Sequence, residues 1–565
     1  MADQPQVLRE PHQVVVGPWA PGCPECLRTR RAAAASEERG AEMAAGAAAG
    51  TAAATAAGTA AGAPARELPS FLADTVAALA SARPGEQQFW IVDTASLALS
   101  GHRFLTDPHC PVCSLLPADT EQGAKPVREA RPKLSPESSR VRPLDQGALR
   151  RTYVDGLSGL IPSVTSYTQH SFPFTGAVMA VPGATAEPAG YGRTRDFASA
   201  WSISVAESLE RLSAYAPSRR TGVRAGYAEV AEAAIDPRSL GLYPDDRFLT
   251  PGFPYRRFTE DAATDWVWGY SFGRGRPVLV PESFVYYRLP MPADEPRFAC
   301  EISSGFALGG CYEEAVLHGV LEVAERDAFL MAWYGRTPLP RIDLATGPDR
   351  RIPLVAERIE RLGYRVHVFD TTQDHGIPSF WTLAEDVTGT GRPRAVSTGG
   401  SGLRPAEAIL AALHELSQTV EYVTILALDP QWGERARYLA DHPDDVVSMA
   451  DHLLCAAEPT AFHRYSFLLD DPVTLSWQQG LERWHWPSTT DIGADLDESV
   501  RRFAAAGMDV VAVDTTSMEQ TAGGFRCVKV IAPGSVPMTF GHTARRVTGL
   551  PRLSEVRNPH PHPFP

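Results

Sequence analysis

His318–Phe329 reads HGVLEVAERDAF, with Glu322 and Glu325 three apart and Arg326 directly after them. Ser204–Tyr215, SVAESLERLSAY, repeats the arrangement with Glu207, Glu210 and Arg211. Spacing of i,i+3 puts both carboxylates of a pair on one helix face, where like charges weaken an isolated helix. A solvated face more often mixes signs. The neighbours Val205, Leu209, Leu212, Leu321, Val323 and Phe329 are core material, so both pairs belong to half-buried helices. Two exposed Glu–Arg faces would explain either pair alone; the duplication argues against that. Four carboxylates in a partly dry place need counter-charge, and hard oxygen ligands in that number suit Mg2+.

A third helix, PAEAILAALHELSQTVEYV from Pro405 to Val423, brings Glu415 and Gln418, again three apart. Ahead of the second helix, Ser303–Ala315 reads SSGFALGGCYEEA, a glycine-rich turn entering a helix start, where backbone N–H groups can face an anion. Its Glu314 lies two helical turns before Glu322. The sequence has no G-x-x-x-x-G-K-[ST] phosphate loop, no G-x-S-x-G elbow and no H-E-x-x-H helix. Any nucleotide is held some other way.

Around these helices the texture is α/β. Apolar runs at 175–183, 265–272, 276–287, 364–372 and 508–516 read as strands, and 272–277 as a hairpin turn. The N-terminal part differs. A strand at 12–19 runs into Cys23-Pro-Glu-Cys26, a short helix is expected over 71–82, and a strand pair over 88–105 leads to Cys110-Pro-Val-Cys113. Two matched Cys-Pro-x-Cys knuckles offer four thiolates for a closed, structural tetrahedral Zn2+ site. Residues 32–65, mostly Ala, Gly and Thr, read as a mobile insertion, and 119–148, polar and proline-bearing without periodicity, as a linker. The resulting division is 1–118, the linker, and 149–565.

The 565 residues are 44% apolar and 21% charged, ordinary for a globular protein. A net charge of −14 argues against non-specific nucleic-acid binding. No apolar run reaches the ~18 residues of a membrane span, and the start lacks a secretion signal. A cytoplasmic location with reduced thiols is expected.

The helices and their flanking motifs resemble the YcaO superfamily, ATP-dependent enzymes that activate backbone amides. The resemblance covers roughly 149–565, through LRRTYVDGLSGLIPSV, YGRTRDFASAWSISVAESLER, the 303–329 stretch and GGSGLRPAEAILAALHELSQ. It implies an α/β fold with ATP in a cleft and Mg2+ on its phosphates. Carried over by position, Glu207, Glu210, Glu322 and Glu325 would bind metal. Arg326 and Glu314 would contact nucleotide, and Glu415 with Gln418 would complete the pocket. Arg193 stands where many relatives have a phosphate-binding lysine. Ile203 replaces a common serine, leaving Ser202 and Ser204 on either side, with Ser204 taken as the nucleotide contact. Ser304-Gly305 replaces the usual Asn-Gly.

The last residues, Pro559–Pro565, read PHPHPFP. Proline at every second position keeps the segment extended, so it loses little entropy on threading into a cleft. Such an ending resembles the YcaO branch that forms thiazolines and oxazolines in ribosomal peptides. Pro561, Pro563 and Pro565 would then line the active site, with the Pro565 carboxylate as a candidate base. The N-terminal part resembles a shortened, zinc-bearing ThiF-like domain. That implies a separate ThiF-like partner to bind the leader of the precursor peptide, and a downstream azoline dehydrogenase; homodimerisation stays open. The implied activity is ATP-dependent cyclodehydration of Cys, Ser or Thr. The rivals are a backbone thioamide-forming enzyme of the same superfamily and a non-catalytic substrate-binding scaffold.

Overall fold

The computed structural model describes residues 6–18, 22–35, 68–81, 88–114, 116–182, 189–215, 217–289, 297–299 and 301–564. A helix over 24–35 enters the Ala/Gly-rich insertion; from residue 36 that insertion lies outside the described residues, as does Pro565.

The N-terminal unit is a four-stranded antiparallel sheet of Val7–Glu10, Gln13–Val16, Gln88–Asp93 and Leu99–Arg103, in that order. Strand side chains alternate between faces. Val14, Val16 and Val92 pack under Leu72 and Val76 of the Ser70–Ser81 helix. Val15, Phe89 and Ile91 face the cysteines on the other side. Buried Arg30 ties this unit to the rest, donating to the carbonyls of Leu105 and Thr106 and pairing with Glu519 at 2.7 Å.

Three further sheets carry the body. One orders Arg276–Pro281, Thr264–Ser271, Val511–Asp514, Arg526–Ile531 and Phe306–Gly309, with Val223–Ala225 also paired to Thr264–Ser271. Another orders Ala395–Ser401, Ser379–Asp386, Tyr364–Asp370, Arg341–Ile342 and Thr474–Leu475. A small one joins Ser163–Tyr167, Phe174–Val178 and Ala189–Arg193. Only the Arg341–Ile342 and Thr474–Leu475 pairing is parallel among these ladders. Helices and strands alternate; the Phe197–Leu212 and Tyr312–Gly335 helices pass from one sheet to another, while the chain after Ala395–Ser401 returns through Pro405–Leu426 and later helices to the same sheet at Thr474–Leu475.

The expected carboxylate helices form at Phe197–Leu212 and Tyr312–Gly335, and the third at Pro405–Leu426. The second runs between two sheets. Ala315, Val316 and Val320 meet Val528 and Val530 on one side, while Phe329 and Trp333 meet Phe369 and Trp381 on the other. A helix enclosed in this way has little water for its charged side chains. Any glutamate on it must face a partner or a cavity.

Residues 119–148 have, as composition implies, almost no regular structure, but they are a strap fastened to the body. Lys133, almost fully buried, pairs with Asp495 at 2.8 Å, and Asp119 accepts from the Trp268 backbone at 2.7 Å.

Candidate active site

Glu207 and Glu210 leave the first helix toward the strands beside it. Glu207 accepts from the Tyr191 N–H at 2.8 Å and pairs with Arg211 at 2.6 Å. Glu210 accepts from the Leu308 N–H at 3.0 Å. On the second helix, Glu322 accepts from the Gly305 N–H at 3.3 Å, and Glu325 pairs with Arg326 at 2.7 Å. Gly305 has φ +84°, and a Cβ there would lie 2.2 Å from the Val530 carbonyl, so this turn requires glycine.

Burial dominates the electrostatics. It pushes the Glu210 carboxyl up to about 8, helped by the charges of Glu322 and Glu207. Burial likewise raises Glu325 to about 7 against the pull of Arg326, with Glu415 and Glu322 adding repulsion. Glu322 is also raised by burial, while Arg326 and Lys529 oppose the rise. These couplings link the three helices through a row of carboxylates from Glu207 to Glu415.

A cavity opens at each glutamate pair. One of about 190 Å3 is lined by Glu207, Glu210, Glu314, Ile203, Arg140 and Arg142. The other, about 300 Å3, is lined by Glu322, Glu325, His318, Lys133, Ser138 and Arg404. Arg193 and Gln418, from different elements, meet directly in a hydrogen bond.

Two expected nucleotide contacts are engaged within the protein. Glu314 is fully buried, accepting from Arg140 Nη1 and the Val141 N–H, both at 2.9 Å, so its carboxylate fastens the strap. Ser204 is buried with its hydroxyl donated to the Trp201 carbonyl at 2.9 Å; Ile203 takes the cavity-facing position. Residues missed by sequence reasoning lie on the strap: Lys133, Arg140 and Arg142 all line the cavities. The signal available was charge, several cations in a segment otherwise without pattern, set against four glutamates with only two adjacent arginines.

The tail is buried. Pro561, His562, Pro563 and Phe564 have little or no exposed surface. The Phe564 ring lies edge-on to Phe329 at 4.7 Å and under the Arg326 guanidinium at 4.2 Å. Gly399 makes this seat, since a Cβ there would stand 2.7 Å from the Phe564 ring.

In the N-terminal unit, Cys23, Cys26, Cys110 and Cys113 present four sulfurs within 4.8 Å of one another. The Cys23–Cys110 and Cys26–Cys113 contacts are 3.6 and 3.3 Å, far longer than a disulfide and close to the ~3.8 Å sulfur–sulfur edge of a tetrahedron with ~2.3 Å Zn–S bonds. Among the described residues no other group of three or more His, Cys, Asp or Glu gathers ligand atoms so closely. The glutamates therefore form a row and not a single coordination sphere. That suits Mg2+, which takes one or two carboxylates and completes its shell with water and substrate phosphates.

Residues 190–536 match the family model described as YcaO cyclodehydratase, ATP- and Mg2+-binding. The chain belongs to the YcaO family. It is 26% identical over 382 residues to an uncharacterized protein of Methanothermobacter thermautotrophicus, spanning 66% of this chain and 88% of that protein. A solved heterocyclase in complex with substrate and cofactor superposes with a TM-score of 0.72 at 21% identity, over 99% of this chain and 78% of its own. The heterocyclase TruD gives 0.66 at 21% identity, over 99% and 75%. At that identity the likeness is one of fold, and it takes in the N-terminal unit as well as the YcaO body. No helix among the described residues is long and apolar enough to cross a membrane.

The raised carboxyls of this YcaO site give a testable pH dependence. Their folded values of about 8 and about 7 exceed the ordinary 4.5, so the metal-free folded protein holds protons that the unfolded chain has released. This contribution to stability is full below about 4.5 and is lost as pH rises through about 7 to about 8. Melting temperature without metal should fall across that window, and Glu210→Gln should flatten the fall. An unchanged slope in the variant would contradict the buried-carboxylate account.

Proposed function

We propose that this chain is the ATP-using cyclodehydratase for Cys, Ser or Thr residues of a ribosomally made precursor peptide. The buried tail, which seats Phe564 on Arg326 beside the carboxylate row, carries the reading. Of the rival activities, thioamide formation would use the same nucleotide site but has no need of a tail led into it. Intact glutamates at all four metal positions oppose a non-catalytic scaffold.

In the net reaction, the side-chain sulfur or oxygen bonds to the preceding amide carbon, the S–H or O–H and amide N–H protons are released as the C=N bond forms, and the amide oxygen leaves in phosphate while ATP becomes ADP. Mg2+, when bound, neutralises phosphate charge. Glu207, Glu210, Glu322 and Glu325 would hold it. Arg193 and Arg326 set positive charge against the phosphates, with the strap cations Arg140 and Arg142 closing the opposite side. The protein's task is placement and charge, as in other phosphoryl transfers. Burial of Phe329, Trp333 and Phe564 keeps the Arg326 end of the site dry. Residues 149–565 would do this chemistry, and 119–148 would couple them to a zinc-bearing part within 1–118. A partner that captures the leader and a downstream dehydrogenase complete the proposed pathway.

The test is mass spectrometry of candidate precursors incubated with this protein, leader-binding partner and ATP. Loss of one water per cyclised residue, matched by ADP, is expected; exchange of oxygen for sulfur would instead favour the thioamide reading.

The four thiols are assigned to a structural Zn2+. Purified protein should carry about one zinc, and Cys110→Ser should lose it and lower the melting of the N-terminal unit. Metal-free protein of unchanged melting temperature would remove the assignment.

A further inference from the structure

Prolines at 559, 561, 563 and 565 leave those positions without an N–H donor. The tail is therefore fixed through its even-numbered residues. The backbone N–H of Asn558 donates to the Tyr334 carbonyl at 3.0 Å, at the end of the second carboxylate helix. The Trp333 indole donates to the His560 carbonyl at 3.1 Å. The next anchor is His452, on the Met449–Ala457 helix, and the last is the Phe564 seat on Arg326.

His452 grips its residue twice. Its ring stacks on His562 at 4.1 Å, and its Nδ1 lies 2.7 Å from the His562 carbonyl. The Gly541 N–H donates to His452 Nε2 at 3.1 Å, which leaves the proton on Nδ1, where it donates to that carbonyl. His562 is held on its far side as well, its Nε2 donating to the Thr539 carbonyl at 2.9 Å. Burial keeps both rings neutral, pushing His452 down to about 4 and His562 well below the ordinary range, so the rings stack without charge repulsion. Both residues are about 1% exposed.

A slip of one residue would put a proline at every anchor in one direction, and at every anchor but that of Asn558 in the other. A slip of two in one direction brings His560 to His452 and His562 to the Phe564 seat, which the ring contacts of that seat oppose; in the other it brings Phe564 to His452, where a phenyl ring has no N–H for the Thr539 carbonyl. We infer that His452 is a positioning residue that pins the register of the tail, and so the placement of Phe564 on Arg326. This rests on the cyclodehydratase reading for its catalytic consequence only.

His452→Leu should lower kcat for water loss about 10- to 100-fold, as expected for ~1 Å misplacement, with KM for ATP unchanged. In the same variant carboxypeptidase Y should trim the tail, followed by intact mass, while the wild-type tail resists. His452→Asn, whose amide N–H can stand in for Nδ1–H, should recover part of both. His562→Leu, a change within the tail itself, should reproduce the loss and keeps the test open if His452→Leu does not fold. Wild-type turnover and a resistant tail in the leucine variants would overturn the inference. So would parallel losses of ATP affinity and melting temperature, which would mark His452 as merely structural. The trimming needs no precursor, so it reports on the pin even if the azoline reading fails.

Discussion

Glu325→Gln should leave the protein folded and lower ATP-dependent processing by about 100- to 1,000-fold, the scale lost when one group that stabilises transition-state charge is removed. The substitution keeps the size and removes the charge that Mg2+ needs. It also relieves the burial that raises this carboxyl to about 7, and Arg326 keeps Glu322 as a partner at 3.5 Å, so the metal-free variant should melt no lower than the wild type. Glu210→Gln should behave alike, because its carboxyl is still more strongly raised, to about 8, by burial and by Glu322 and Glu207. Activity lost with stability kept or gained separates metal ligands from structural ion pairs, whose rupture leaves a buried charge unpaired and destabilises. Wild-type turnover in both variants would remove the metal site.

The second large effect concerns Phe564. Replacing it by alanine empties the seat between Phe329, Gly399 and Arg326, and should cut water loss from precursor about 100-fold while ATP binding persists. Inserting one residue between Asn558 and Pro559 should do the same by putting a proline at the His560, His562 and Phe564 anchors. Gly399→Val tests the seat from the other side, since its side chain would occupy the space of the ring. Unchanged water loss in all three variants would show that the tail is packing alone.

How far these features were legible depends on what kind of signal each leaves. Paired glutamates at i,i+3 in apolar helices are a local pattern, and the structure puts all four along one row. Matched Cys-Pro-x-Cys knuckles and alternating prolines are equally local, and the thiols do converge while the tail is buried. Helix phase also tells which residue beside the first glutamate pair faces the cavity. At about 100° per residue, position 203 lies within the arc of Glu207 and Glu210, whereas Ser204 points about 90° away from its centre. The fate of Glu314 was beyond local reading, because its partners Arg140 and Val141 come from a segment far away in sequence. That segment has no periodicity, so pattern reading makes it a linker, whereas long-range ion pairs make it a wall of the site. The anchoring of the tail by Trp333 and His452 is likewise a product of tertiary packing.

The most direct test of the central claim follows the amide oxygen. A precursor carrying heavy oxygen at the carbonyl before a cyclised Cys, Ser or Thr would be processed with ATP, this protein and its partner. If the amide oxyanion is phosphorylated, the label should appear in the released inorganic phosphate, one atom per azoline formed. Azoline formation with unlabelled phosphate, the label passing to water instead, would contradict it.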